Sequence, residues 1–135
     1  MEKYIPRGIR NNNPLNIRIG NTWKGEVANP TDAEFEQFIE MKWGVRAGFV
    51  LLKRYIQRYE LTTIVDIICR WAPRNENHTG AYVDFVSRSS GINMLTDLDF
   101  NDKTQMCSLV QAMILYECGQ PIDINDILEG YELAK

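Results

Sequence analysis

A glutamate near the end of a long apolar stretch is the residue in this sequence best placed for acid–base chemistry. Glu117 follows Met113 by four residues and Ile114 by three, so the three side chains share one face of a predicted helix. Apolar surroundings and the negative end of the helix dipole both disfavour a carboxylate, and both raise its pKa. A glutamate that stays protonated near neutral pH can act as a general acid. The alternative is a solvated glutamate at a helix end.

A second candidate acid, Glu76, lies in a polar stretch ahead of another predicted helix. Asn77, His78 and Thr79 follow it directly, and such a cluster can hold a water molecule or a sugar. Capping preferences favour a different interpretation, in which the cluster starts the helix and the helix dipole favours the charge on Glu76. His78 is the only histidine, and no G-x-S-x-G pattern supplies a nucleophile for it to activate.

Amide, guanidinium and aromatic side chains form a set of candidate ligand contacts. Asparagine amides can bind hydroxyl and acetamido groups, although asparagine also suits tight turns, and arginine can pair with carboxylates. Trp23 lies in a polar turn, which predicts an exposed ring, whereas Trp43 and Trp71 are interpreted as core residues. The candidate binding residues are Asn12, Asn13, Asn16, Arg18, Trp23, Asn77, Thr79 and Tyr82.

Neither a metal site nor a second catalytic carboxylate stands out. Asp32, Glu34 and Glu36 could supply a second carboxylate, but a solvated acidic loop is the simpler interpretation. This favours a mechanism that needs one acid. The three cysteines do not have the spacing of metal ligands, and we expect them to be reduced residues of the core. They are Cys69, Cys107 and Cys118. We expect neither a metal nor a cofactor.

The elements that would position these residues change character near residue 40. Residues 1–40 are rich in turn formers, and alternation across residues 15–19 predicts a strand in a small irregular β-hairpin lobe. Residues 41–135 show helical spacing. The predicted helix caps are Thr62, Asn77 or Thr79, Asp102 and Asp123. We therefore expect a mainly α (α+β) single domain over 1–135, with a cleft between its two parts.

Charge and hydropathy narrow the classes of partner. The 135 residues carry a net charge of −3, and their basic residues are scattered, which argues against nucleic acid as the main partner. The N-terminus has no apolar core of signal-peptide length, and no stretch approaches the ~20 apolar residues of a membrane span. We expect a protein made in the cytoplasm, with no membrane span.

Several segments together resemble a family of phage and prophage proteins, described as virion structural proteins or lysozyme-like cell-wall enzymes. Leu15 stands where that family has glycine, and Cys118 stands where it has asparagine. The matching segments are R-G-I-R-N-N-N-P at 7–14, N-I-R at 16–18, W-K-G at 23–25, F-E-Q-F at 35–38, W-G-V-R-A at 43–47, W-A-P at 71–73, E-N-H-T-G-A-Y at 76–82, A-M-I at 112–114 and E-C-G at 117–119.

This resemblance implies a lysozyme-like fold and peptidoglycan as the partner. The opening is also similar to bacterial glucosaminidases of that fold, in which a helix ending in Glu-Ser-Gly comes before the matching stretch. Here the Glu-Cys-Gly comes after it, so the resemblance implies a circularly permuted arrangement. The expected function is cleavage of the glycan strand between N-acetylmuramic acid and N-acetylglucosamine, as a lytic transglycosylase or muramidase with Glu117 as acid/base.

The alternative is a non-catalytic virion or cell-wall-binding module with the same fold. Either would act at the cell wall after phage lysis or as part of a virion, with other virion proteins as further partners. The change to Cys118 beside Glu117 favours this alternative.

Overall fold

The computed structural model describes residues 4–72 and 76–135, with the side chains of Glu76 and Asn77 outside the described part. Within these residues the chain forms six helices, so the expectation of a mainly helical fold is confirmed. Their bounds are α1 Arg7–Arg10, α2 Met41–Gln57, α3 Ile64–Trp71, α4 Glu76–Ser90, α5 Lys103–Cys118 and α6 Ile124–Ala134. None of the helices in the described ranges is long and apolar enough to cross a membrane.

Helix α5 is the central element, because it is apolar on nearly every side. Its buried residues cover more than the single face that the spacing predicts, which is typical of a helix enclosed by others. Helices α4 and α6 pack against it, α3 packs against α4, and α2 packs along α6. The buried residues of α5 are Met106, Cys107, Leu109, Val110, Ala112, Met113, Ile114 and Cys118.

Polar caps set the helix ends close to where the sequence places them. Asp102 and Asp123 accept backbone N–H groups at the starts of α5 and α6, as predicted. Gly119 ends α5 in the left-handed conformation, at φ 71°, where glycine carries no Cβ penalty. The cap of α3 is Thr63, one residue later than predicted. Thr62 instead donates to the Asp97 carboxylate at 2.8 Å.

The predicted β-hairpin lobe is not formed in the described part of residues 1–40. Instead, two isolated antiparallel bridges, Arg18 with Phe35 and Glu26 with Phe38, hold three short extended pieces together. The reason is local competition for the backbone. The buried Asn13 side chain accepts from Ile17 N–H and donates to the carbonyl oxygens of Ile17 and Glu36, at 2.9–3.0 Å. Backbone bonds from Ile19 N–H to the Glu34 carbonyl oxygen and from Glu36 N–H to the Ile17 carbonyl oxygen add to them. Residues 17–19 therefore pair with a distant segment and not with the one that follows the next turn.

The N-terminal segment is seated on α2 through two glycines. Leu15, where the resembling family has glycine, is fully buried, and Gly48 provides the space for its Cδ1 atom. One turn earlier on α2, a Cβ atom at Gly44 would overlap the backbone carbonyl oxygen of Asn12. Close backbone approach of this kind is possible only for glycine.

Cysteines do not all lie in the core as expected. Cys107 and Cys118 are buried, and the Cys118 thiol donates to the Pro14 carbonyl oxygen at 3.2 Å. Cys69 is exposed, because it lies on the outer face of the short helix α3. The Cys118 contact turns that side chain towards the N-terminal segment.

We expect the Gly44→Ala substitution to lower the free energy of unfolding by about 1–3 kcal/mol, because its methyl group would force α2 away from the Asn12 carbonyl. Urea denaturation measures this loss. Gly80→Ala is the matched control: nothing lies within 4 Å of a Cβ atom there, so alanine should stabilise α4 by up to about 1 kcal/mol. Equal stability of the Gly44→Ala variant and the wild type would contradict the close packing.

Candidate functional site

A cavity of about 630 Å³ lies where the N-terminal segment meets the helices. Its volume is within the range of small-molecule and substrate sites. One side comes from the N-terminal segment, and the other comes from the end of α3, the start of α4 and the end of α5. The lining residues are Leu15, Asn16, Arg18, Phe35, Trp71, Ala72, His78, Thr79, Tyr82, Tyr116 and Glu117.

Glu117 is the only carboxyl residue among the described residues that line the cavity. It sits in the last turn of α5, where the apolar helix face meets the cavity. Burial raises the pKa of Glu117 above its usual value. The Asn16 amide opposes this rise by donating to Oε1 at 2.9 Å, since a hydrogen bond to a carboxylate favours the charged form. Burial is the larger effect, so protonation is favoured relative to a solvated glutamate.

The backbone at Asn16 explains how its amide reaches Glu117. Asn16 has φ 53°, in the left-handed region that asparagine tolerates better than most residues. Its N–H donates to the Asn13 carbonyl oxygen at 3.0 Å, closing a tight turn. The asparagine run therefore fixes this turn, and the turn places the Asn16 amide across the cavity from Glu117 of α5.

Two stacked tyrosines form the wall beside Glu117. The Tyr82 and Tyr116 ring centroids are 4.0 Å apart with an interplanar angle of 20°. The Tyr82 hydroxyl is buried near the Glu117 carboxyl group, where it also opposes the rise in the Glu117 pKa, but it has no hydrogen-bond partner of good geometry. Burial, and then the charge of Glu117, raise the pKa of Tyr82 itself.

The opposite wall carries positive charge. The Arg18 guanidinium lies 4.8 Å from the Phe35 ring centroid, and Arg7 lies 4.5 Å from the same ring. Arg18 also approaches Glu34 at 3.6 Å, but both groups are exposed and the pair is weak. Arg18 is therefore a cation at the cavity edge that can meet an acidic ligand group.

Five of the predicted site residues are brought together in this cavity. Besides Glu117, Asn16, Arg18 and Tyr82, the lining includes Thr79, whose hydroxyl donates to the Ala72 carbonyl oxygen at 3.2 Å. The side chains of Glu76 and Asn77 lie outside the described residues. Helix α4 starts at Glu76, so neither Asn77 nor Thr79 is its N-cap.

Three predicted binding residues take structural positions instead. Asn13 is fully buried, with the backbone bonds given above, and Asn12 donates to the Phe38 carbonyl oxygen at 3.0 Å. Trp23, expected to be an exposed ring, is only 8% exposed and packs with Ile17 and Phe38. A sugar platform needs an open ring face, so Trp23 does not provide one. The structure places none of the three in the cavity lining.

The cavity also includes residues that the sequence did not single out. Tyr116 is next to Glu117 on the flank of the apolar face, and Phe35 comes from the bridge with Arg18. Trp71 was interpreted as a core residue, and it is half-buried with part of its surface on the cavity. The E-C-G motif marks the neighbourhood of Tyr116, and the F-E-Q-F and W-A-P segments contain Phe35 and Trp71, but these motifs alone do not assign a residue to the cavity.

The three other candidate carboxylates do not line the cavity. Arg7 holds Asp32 with two hydrogen bonds of 2.7 Å, and these keep the pKa of Asp32 well below its usual value. Glu34 is exposed near Arg7. Burial and the neighbouring Glu26 raise the pKa of Glu36 to about 7. Arg10 lines a separate polar pocket together with Asp32.

Comparison with known proteins shows a phage relative. The chain is 41% identical over 131 residues to Protein P5 of Pseudoalteromonas phage PM2, a match that covers 93% of this chain and 80% of the relative. The chain belongs to the family of this phage protein. No established family model matches it. The phage part of the resemblance is thereby confirmed.

We expect Glu117→Gln to be more stable than the wild type at pH 7, and this advantage should shrink as the pH falls to 4. In the wild type, the unfolded glutamate ionises above about pH 4.5 while the folded one resists ionisation, so wild-type stability falls as pH rises through this range. Glutamine has no such cost and can still accept from Asn16. Urea denaturation at several pH values measures the difference. A difference that does not change with pH would contradict the shift.

We expect Asn16→Gly to raise the pKa of Glu117 further, because glycine keeps the left-handed turn but removes the amide donor. Carbon-13 NMR titration of the glutamate carboxyl groups measures this pKa. Asn12→Gly is the matched control, since Asn12 has the same φ of 53° but bonds to Phe38. Equal Glu117 pKa values in the two variants would contradict the role of Asn16.

Proposed function

We propose that this protein cleaves the glycan strands of bacterial peptidoglycan, with Glu117 as the acid/base. The observation that carries the proposal is a single carboxyl group with a raised pKa, facing a cavity of substrate size. Two segments that resemble motifs of the phage family, E-C-G at 117–119 and N-N-N-P-L-N at 11–16, supply Glu117 and the turn containing Asn16, with Cys118 and Leu15 as departures from that family. The two meet across one cavity.

The geometry around Glu117 suits an acid that gives up its proton and later takes one back. The Asn16 amide occupies Oε1, so Oε2 is the oxygen that can carry the acidic proton. In the first step Glu117 donates this proton to the glycosidic oxygen as the bond to the anomeric carbon breaks. A hydroxyl of the sugar then attacks that carbon and returns its proton to Glu117. This sequence needs one carboxyl group and no second protein nucleophile.

A single-acid mechanism fits the cavity better than a two-carboxylate one. Retaining and inverting glycosidases generally use two carboxyl groups on either side of the bond. Among the described lining residues, which leave out the side chain of Glu76, Glu117 has no second carboxylate beside it. Asp32, Glu34 and Glu36 are not part of that lining. We therefore favour the lytic transglycosylase class over the muramidase class.

The proposal includes a fold relationship and a place of action. We infer a lysozyme-like arrangement in circularly permuted order, since the glutamate helix α5 follows the N-terminal segment that faces it. As a relative of a phage protein, the chain would act at the cell wall, either as a virion component among other virion proteins or at lysis.

The second candidate is a non-catalytic virion or wall-binding module. It is favoured by the Asn16–Glu117 hydrogen bond, because this bond also ties the N-terminal segment to α5 and so has a purely structural use. Under this alternative, the cavity would bind a glycan without cleaving it.

We expect Glu117→Gln to reduce peptidoglycan cleavage by about 10²–10⁴-fold, the usual contribution of a general acid. Clearing of purified sacculi in a gel or in suspension measures this. Glu129→Gln is the matched control, since Glu129 is exposed and makes only a 3.5 Å pair with Lys42. Mass spectrometry of the products then tests the class, because internal displacement releases fragments one water lighter than hydrolysis does.

Three outcomes would change the assignment. Full activity in the Glu117→Gln variant would show that another group is the acid. Wild-type protein that binds sacculi without cleaving them would establish the non-catalytic module. Fully hydrated products would replace the transglycosylase class by the muramidase class.

A further inference from the structure

A chain of three aromatic rings leads from the cavity, through a half-buried tyrosine, to the protein surface. It starts at Trp71, which lines the cavity. The Tyr55 ring lies 5.9 Å from the Trp71 ring in an edge-to-face arrangement, and the Tyr59 ring lies 6.4 Å from Tyr55. Tyr59 is 43% exposed, so the chain of rings ends on an open surface. The cavity therefore continues into a path of rings.

Arginines accompany these rings. The Arg70 guanidinium lies 5.9 Å from the Tyr55 centroid and 5.4 Å from that of Tyr59, and Arg58 lies 5.8 Å from Tyr59. Both arginines are exposed. None of the ion pairs between described residues involves either of them. We call Tyr55, Tyr59, Arg58 and Arg70 the arginine–tyrosine face.

Two more cations extend this face along α2. Lys53 and Arg54 share with Arg58 the lining of a shallow groove of about 420 Å³, whose residues recur at helical spacing. None of the three has a carboxylate partner within 4.0 Å in the described ranges. Four of the chain's 15 basic residues thus gather on one surface of a protein with net charge −3.

Nearby acidic residues do not neutralise this surface. Asp66 lies one turn before Arg70 on α3, and Glu60 follows α2, but neither forms an ion pair with it in the described structure. Cations gathered without partners repel one another, and an acidic ligand would relieve that repulsion. The arginine–tyrosine face is thus complementary to an elongated ligand that carries both apolar surfaces and carboxylates.

We propose that the arginine–tyrosine face binds the same peptidoglycan strand beyond the cavity, so that the protein selects long, acidic strands over short fragments. This inference rests on the proposed function. The exposed tyrosine would contact the CH face of a sugar ring, and the guanidinium groups would pair with carboxylates of the peptide stems. Continuity through Trp71 and the charge of the face both favour this occupant.

The test measures binding in a protein that cannot cleave. Glu117→Gln protein is sedimented with purified sacculi, alone and with the further changes Arg58→Gln and Arg70→Gln. We expect the two further changes to weaken binding about fivefold to tenfold, as two lost exposed charge contacts allow. The control is Lys24→Gln with Arg88→Gln, which removes the same charge from exposed sites elsewhere. We expect its binding affinity for sacculi to stay within about twofold of the parent protein.

A second measurement separates the face from the cavity. A soluble tetrasaccharide of two disaccharide units contains one bond of the expected kind and is too short to extend along the face. Its cleavage should be unchanged by Arg58→Gln with Arg70→Gln. If the wild type cleaves nothing, the proposed function fails, while the sedimentation result still tests the face.

Four results would overturn the inference. One is equal binding of sacculi by the parent and the Arg58→Gln/Arg70→Gln protein. Another is an equal loss of binding in the Lys24→Gln/Arg88→Gln control, which would indicate general charge attraction. The third is unchanged binding to isolated glycan strands whose peptide stems have been removed. Tighter binding to anionic lipid vesicles or to duplex DNA, lost through the same two arginines, would assign the face to that ligand instead.

Discussion

The buried side chain of Asn13 is the interaction on which the rest of the structure depends. A fully buried amide is costly unless its donors and acceptor are paired, and here all three of its hydrogen bonds go to the backbone at residues 17 and 36. These bonds join two distant parts of the N-terminal segment without a sheet. Because they fix Ile17, they also fix the neighbouring Asn16 and Arg18, which face the cavity.

This arrangement explains how a segment with so little regular structure can form one wall of a site. Asn12 and Asn16 both take the left-handed conformation, and the Asn12 carbonyl rests against Gly44 of α2. Leu15, which lies between these two asparagines in the sequence, is buried in the core against Gly48 of α2. These contacts hold the backbone at Asn16 in place, so its amide is already positioned to donate to the Glu117 carboxyl group.

The sequence predicted the helices well, because their signals are local. Caps such as Asp102 and Asp123, the stop at Gly119 and the apolar spacing before Glu117 all lie within one or two turns of the feature they specify. The raised pKa of Glu117 was predictable for the same reason, since its apolar neighbours are on its own helix.

The remaining features depend on contacts between residues distant in sequence. Trp23 occurs among polar residues, yet it is buried because Phe38 and Ala47 come from elsewhere to cover it. The Tyr82–Tyr116 stack and the Trp71–Tyr55 contact each join two helices. The predicted hairpin failed similarly: the partner of Ile17 is Glu36, beyond the nearest turn, and alternation alone does not identify a partner.

The carboxyl groups of the N-terminal segment affect its stability in opposite ways as the pH changes. Together they determine the pH range in which the segment is most stable. Arg7 and Asn11 lower the pKa of Asp32, so the stability from this cluster is present above about pH 3.8 and is lost as the pH falls further. Glu36 has its pKa raised to about 7, so its burial costs stability as the pH rises from about 4.5 to 7. Glu117 is shifted in the same direction as Glu36. The N-terminal segment is therefore held most firmly at mildly acidic pH, above the range in which Asp32 takes up a proton and below the range in which Glu36 ionises. Burial also raises the pKa of Glu117, so the same physical effect favours the protonated carboxyl group that the proposed chemistry requires.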